Sequence, residues 1–389
     1  MAWRVKALVI TWGPGGNLPP LLATATLLSR RGHDVTVLCS GKTRDAARRL
    51  GLRVAGYERS PDPDVGVAFE AQAAEVMATA AGADMALDAV DALDRLRPDL
   101  AVVDCMLPAA IAAAQAVGTP TASLVHFLYC PARTQMLQFG GAWTTDLRTL
   151  AATHRLLGLA APRNGLAAWE APGLVLVTAP RWFDGECEAP AHVVHAGPLG
   201  IAVGRRRPLR AGGRQRVLLT FSTTVMEGQL ELINRVVDAV SDLELDAVLT
   251  LGCAVDPGGV RVPENVRVMT CADHDRLLPG CDAVIGHGGM GTVLRALAHG
   301  VPQLLLPLGR DQTVNAARVK DIHAGIRLSA DSPPGTIRRQ LTALLADRSF
   351  AAACARVARR IAVAEPDRTA AEALEHLARM TPPGRSPGC

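Results

Sequence analysis

Aromatic residues are scarce in this chain: Phe, Trp and Tyr make up 3% of its 389 residues. Ala and Leu must therefore fill most of the core. Charge of one sign is lacking too. The formal net charge of +4 tolerates phosphate-bearing ligands but is too small to point to nucleic acid. The nine cysteines form no C-x-x-C pair and no metal-ligand spacing. An odd, scattered set in a long chain fits a reduced compartment and a cytoplasmic location. Cys39, Cys105 and Cys253 read as small hydrophobes, and Cys389 as part of a loose tail. No apolar run approaches the roughly 20 residues that span a bilayer. The first apolar run is short and ends at Gly13-Pro14-Gly15-Gly16, which argues against a signal peptide.

What is present is an alternating α/β pattern, and 389 residues are too many for one ordinary core. Val5 to Ile10 reads as a strand, Leu21, Leu22, Ala25 and Leu28 recur at helical spacing, Arg31-Gly32 closes that helix, and Val35 to Cys39 is the next strand. Such a βαβ unit predicts a parallel sheet. Leu100 to Asp104 and Thr121 to Val125 are further strands, with a helix over Ala109 to Val117. The pattern restarts at Val217 to Phe221 and continues with Ala247 to Leu251, Val266 to Met269, Ala283 to Gly286 and Gln303 to Leu306. The basic run Arg205-Arg206-Arg207-Pro208-Leu209-Arg210 reads as a solvated linker. The expectation is two doubly wound Rossmann-like domains, 1–204 and 212–365, with a helix at 366–380 crossing back and a Pro/Gly/Ser-rich tail beyond it. Ligands in such folds bind at the carboxyl ends of the strands.

The most informative stretch is Ile285-Gly286-His287-Gly288-Gly289-Met290-Gly291-Thr292, a strand, a glycine turn and a helix start. Glycines let the backbone approach an anion. The helix that begins near Thr292 aims unpaired N–H groups at the same spot, and His287 adds a donor. Asp311-Gln312 further on suits sugar hydroxyls. The bland alternative is a tight strand–helix turn that needs glycine for geometry alone.

From Gly286 to Leu328 the chain resembles the GT-B-fold glycosyltransferases of the natural-product, UDP-glucuronosyltransferase-like (antibiotic glycosyltransferase) family. The matching pieces are His287-Gly288-Gly289, Gly291-Thr292, Ala296-Leu297, Gly300-Val301-Pro302, Pro307, Asp311-Gln312 and Asn315-Ala316. Weaker echoes lie at Gly16 to Leu21, Arg31 to Val35, Gly197-Pro198-Leu199 and Phe221-Ser222-Thr223. The resemblance implies two domains facing across a cleft. His287 and the amides of Gly288, Gly289, Gly291 and Thr292 would hold a donor diphosphate, and Ser222 and Thr223 would touch it from the other side. Asp311 and Gln312 would bind the sugar. Cys271-Ala272-Asp273-His274 falls where the family holds the nucleobase; the tryptophan of the plant pattern is absent, which leaves dTDP and UDP open. Met290 stands where many bacterial relatives carry histidine.

The main departure lies in the first turn. The family's Gly-His-x-x-Pro supplies a histidine that takes the acceptor proton, and here the run is Gly16-Asn17-Leu18-Pro19-Pro20. An amide is no base. Asp104 is the leading substitute and His126 the next. The acceptor could instead need little base help, or the protein could be catalytically weak. Against these roles, Asp104 could merely cap the helix near Pro108, and His126 could be a core imidazole. His33, in a turn after a helix, reads as structural. Four of the thirteen aromatics, Phe127, Tyr129, Phe139 and Trp143, fall within 17 residues, joined by Met136. With Trp12 they suggest an apolar acceptor pocket, the alternative being local helix packing.

Gly13-Pro14-Gly15-Gly16-Asn17-Leu18 fails a dinucleotide fingerprint at Leu18, and no acidic residue closes the second strand. Asp62-Pro63-Asp64 reads as a surface turn, not a metal site. The expectation is thus an inverting, metal-independent transferase. It would move a sugar, a deoxysugar by preference, from a dTDP- or UDP-linked donor to an apolar natural-product acceptor, with no other cofactor. The alternatives are a non-catalytic partner of a true transferase and a nucleotide-sugar epimerase. Nothing in the chain excludes a homodimer.

Overall fold

In the computed structural model, residues 3–13, 15–62, 66–139, 146–203, 213–252, 255–270 and 272–380 are described. The basic run 205–210, the tail 381–389, Cys253, Cys271 and Trp143 lie outside them, as do Pro63 and Asp64 and the side chain of Phe139.

Among the described residues thirteen strands form two wholly parallel sheets. The first holds β1 (Lys6–Ile10), β2 (Asp34–Leu38), β3 (Arg53–Ala55), β4 (Leu100–Asp104), β5 (Thr121–Val125), β6 (Leu174–Val177) and β7 (Val193–His195), in the spatial order β3-β2-β1-β4-β5-β6-β7. The second holds β8 (Gln215–Thr220), β9 (Leu245–Thr250), β10 (Val266–Met269), β11 (Ala283–Gly286), β12 (Gln303–Leu305) and β13 (Gly325–Arg327), in the order β10-β9-β8-β11-β12-β13. Every strand expected from the sequence is present. The short β3, β6, β7 and β13 were not foreseen, because three or four residues leave little pattern to read.

The chain divides into two compact units, one of residues 1–63, 73–200 and 366–389 and the other of 64–72 and 201–365. Each sheet is covered by apolar clusters on both faces, as a parallel sheet requires. β4 and β5 are buried along their whole length. In each unit the winding reverses once, between β1 and β4 (Ile10 beside Val103) and between β8 and β11 (Gly286 beside Thr220). A Cβ on Gly286 would sit 2.5 Å from the Thr220 carbonyl oxygen, so this register needs glycine.

The helix Pro366–Met380 belongs to the first unit and packs on the helix Leu18–Arg30. Glu375 anchors it, accepting from Arg31 Nε (2.6 Å) and Nη2 (3.1 Å). His33 Nδ1 accepts the Val5 N–H at 3.2 Å, so its Nε2–H faces Glu375 at 3.0 Å. His33 is therefore structural. The Arg31 hydrogen bond is the main reason the Glu375 carboxyl falls to about 2; burial opposes it, and His33 adds to it.

One finding departs from the reading of nine independent thiols. Cys130 and Cys187, 57 residues apart, are joined in a disulfide. The fold brings them together around Asp184. That carboxylate accepts the Cys130 N–H at 3.1 Å and lies 2.6 Å from His195 Nε2. Cys39, Cys105, Cys281 and Cys354 are buried thiols outside any disulfide among the described residues.

Candidate active site

In the second unit the turn after β11 sits at the switch point. The helix begins at Met290, two residues earlier than the sequence indicated, with Gly289 as its N-cap and no side-chain cap. The Thr292 amide turns back to the Gly289 carbonyl at 3.1 Å, so the amides of Met290 and Gly291 are the ones open to a ligand. Gly288 adopts φ +88°, and a Cβ there would press the Gln312 carbonyl at 3.1 Å. Asn315 Nδ2 ties the turn from behind, donating to the Gly288 carbonyl (3.0 Å) and to Asp311 Oδ2 (2.8 Å). Gly291 and Thr292 lie in the first helical turn.

His287 is buried, and its Nδ1 has no hydrogen-bond partner among the described residues. Burial is the main cause that lowers its pKa to about 4; a Thr220 backbone hydrogen bond opposes this, and the Arg310 charge reinforces it. The imidazole is therefore neutral at pH 7 and carries a single N–H and no charge. A cation whose charge reaches His287 is Arg310, which the sequence reading missed. It stands at φ +55° between Gly309 and Asp311, and its Nη1 donates to Thr224 Oγ1 at 3.0 Å.

Ser222, after β8, is buried. Its N–H donates to Gln229 Oε1 and its carbonyl accepts from Gln229 Nε2, both at 3.1 Å. Ser222 Oγ pairs with Thr224 Oγ1 at 3.0 Å, whereas Thr223 is exposed. Asp311 is half-buried at the start of the helix Gln312–Asp321. Gln312 is buried and largely engaged: Oε1 accepts from the amides of Leu308 (2.8 Å) and Gly309 (3.3 Å), and Nε2 faces Met226 Sδ at 3.0 Å with one of its two N–H groups. It shapes the loop that carries Arg310. Next to Cys271, Asp273 caps the helix His274–Leu277, and His274 Nε2 lies 3.2 Å from Thr250 Oγ1 at the end of β9.

In the first unit, all three residues considered for proton transfer meet at the other switch point. Asn17 is the N-cap of the helix Leu18–Arg30 but makes no cap hydrogen bond. Its Nδ2 instead donates to Asp104 Oδ2 at 2.7 Å. Asp104 Oδ1 accepts the Met106 N–H at 3.0 Å and lies 3.2 Å from His126 Nε2. Asp104 thus caps no helix, because the N-cap before Pro108 is Leu107. Burial pushes its carboxyl up. The charge and hydrogen bond of His126, with the Met106 and Asn17 donors, outweigh burial and leave it below its ordinary value.

The described members of the aromatic set are packed inward. Phe127 meets His126 edge-on and Trp169 at a tilt, both at 5.1 Å between ring centroids. Trp12 is buried and donates Nε1–H to the Pro61 carbonyl at 2.9 Å. Tyr129 is fully buried, with its hydroxyl on Glu170, and Met136 is buried beside it in the chain. Local packing accounts for these contacts. Asp62, the described member of the Asp-x-Asp run, accepts the Gly41 N–H at 2.9 Å, an ordinary helix-start contact.

Two Rossmann-like units with these switch points define the GT-B class. Residues 234–379 match the family model described as Erythromycin biosynthesis protein CIII-like, C-terminal domain. The chain is 38% identical over 152 residues to the aclacinomycin-T 2-deoxy-L-fucose transferase of Streptomyces galilaeus, covering 38% of this chain and 34% of that protein. It is 30% identical over 290 residues to the 3-alpha-mycarosylerythronolide B desosaminyl transferase of Saccharopolyspora erythraea, covering 67% of this chain and 64% of that protein. These matches span between about a third and just under two thirds of the curated relatives. The fold is that of the glycosyltransferase VinC, solved in complex with dTDP, with a TM-score of 0.73 at 24% identity over 97% of this chain and all of the other. Residues 234–379 thus belong to that C-terminal domain family, and the chain beyond them is similar to natural-product (antibiotic) glycosyltransferases. No described helix is long and apolar enough to cross a membrane.

Proposed function

We propose that this protein transfers a sugar from a dTDP- or UDP-linked donor to an apolar natural-product acceptor, with inversion at the anomeric carbon. The observation that carries the reading is the crevice at β8 and β11. There a buried, unpartnered His287 nitrogen stands just before a helix start that has no side-chain cap, and the Arg310 charge acts on the same imidazole. Such a set holds a diphosphate without requiring a metal, and it stabilises the charge that develops on the diphosphate as the glycosidic bond to it breaks. Asp311 would hold the transferred sugar, with the Cys271 to His274 segment toward the nucleobase. The names of the two curated relatives support a deoxysugar, and the dTDP in the VinC structure supports a thymidine donor. The acceptor would bind in the first unit near Asn17 and Phe127. A cytoplasmic enzyme fits this role.

The test is a thermal-shift or calorimetric titration with dTDP and UDP, followed by assays of donor hydrolysis and transfer. Stabilisation by neither nucleotide at millimolar concentration removes the reading. Stabilisation with neither hydrolysis nor transfer favours the non-catalytic partner, for which Asn17 at the histidine position is the supporting observation.

A further inference from the structure

Asp104 is enclosed by three donors, and its side chain is 1% exposed. With so little exposed surface it has no open face toward a substrate while these bonds stand. His126 is different. Its side chain is 13% exposed, and of its two ring nitrogens only Nε2 has a partner among the described residues. An ionised Asp104 at 3.2 Å requires the proton on Nε2. The lone pair of the neutral ring is then on Nδ1. An imidazole whose tautomer and orientation are fixed by a buried carboxylate is the arrangement that general-base catalysis uses. The Asn17 amide completes it, because it occupies the carboxylate's second oxygen and leaves the first to Met106 and His126.

We propose that His126 Nδ1 takes the proton from a neutral hydroxyl on the acceptor, with Asp104 and Asn17 as positioning residues. This rests on the glycosyl-transfer reading above and adds the acceptor's chemical class and the base. As the acceptor oxygen forms its bond to the anomeric carbon, its proton passes to Nδ1. The bond from that carbon to the diphosphate oxygen breaks, and the electron pair leaves with the nucleotide diphosphate. The imidazolium formed is paired with Asp104.

The experiment uses the full chain, dTDP-glucose or UDP-glucose, and two phenols of similar size, 4-methoxyphenol and the more acidic 4-nitrophenol. His126→Ala should lower kcat on 4-methoxyphenol by about 100-fold or more, with a smaller loss on 4-nitrophenol, which gives up its proton with little help. Added imidazole should restore part of the turnover, and stabilisation by dTDP should be unchanged. His126→Gln, which keeps an N–H for Asp104, should show the same pattern if the alanine variant folds poorly. Asp104→Asn should lower kcat at unchanged KM and respond to acceptor acidity in the same direction. Equal losses on both phenols without imidazole rescue overturn the assignment, as does a much larger loss for Asp104→Asn than for His126→Ala. A wild type that binds dTDP but transfers to neither phenol overturns the hydroxyl-acceptor part. A wild type stabilised by no nucleotide fails the transferase reading instead.

Discussion

The two switch points share a topology but handle charge in opposite ways. At β8 and β11 the protein places glycine-turn amides, a neutral His287 and the Arg310 charge. At β1 and β4 it buries its own negative charge, Asp104, and surrounds it with Asn17, Met106 and His126. On the proposed function, one crevice receives an anion and the other manages a proton. A shared strand order therefore says where a site lies, and the residues after each strand say what it does.

The comparison is broken most strongly by substitutions that disable one crevice alone. His287→Ala removes a donor to the developing diphosphate charge, and kcat should fall about 100- to 1,000-fold. The stabilisation by dTDP should weaken with it, whereas Asp104→Asn should leave that stabilisation intact; nucleotide titrations of both variants decide the matter. Next in size is Gly288→Ala. At φ +88°, with the Gln312 carbonyl 3.1 Å from the new Cβ, it should cost about 1–3 kcal/mol in denaturant unfolding and weaken nucleotide binding.

A control outside both crevices is Glu375→Gln. Arg31 is 40% exposed, so screening trims the ion pair, and the loss should be about 1–2 kcal/mol by chemical denaturation with nucleotide binding unchanged. Because the Glu375 carboxyl is lowered from 4.5 to about 2, its contribution is full above pH 4.5 and is lost as pH falls toward 2. The smallest signal is His287 itself. Lowered from 6.5 to about 4, it should disfavour folding as pH falls through that window, since the unfolded chain takes up the proton first. Imidazole NMR should find it neutral at pH 6, and dTDP should raise its pKa if Nδ1 or Nε2 meets the diphosphate.

Much of the fold was legible because buried parallel strands are continuous apolar runs, as in Ala283 to Gly286 and Thr121 to Val125. The short β3, β6, β7 and β13 were hidden, and so was the Cys130–Cys187 pairing, whose partners are 57 residues apart. The glycine turn was legible because Gly and His cluster within one segment. Arg310 was not, because nothing in Gly309-Arg310-Asp311 shows that Gln312 folds the loop back toward Thr224.

By itself the sequence determined the two α/β halves, the glycine turn and the asparagine at position 17, since each of these is written in adjacent residues. Only the tertiary structure decided how Asn17, Asp104 and His126 divide the work. They follow three different strands, 87 and 22 residues apart, and the parallel sheet is what brings their side chains to one carboxylate. The aromatic segment shows the same limit in reverse. Its clustering in sequence was plain, but burial turned Tyr129 and Met136 into core, because side-chain direction is set by packing and not by spacing along the chain.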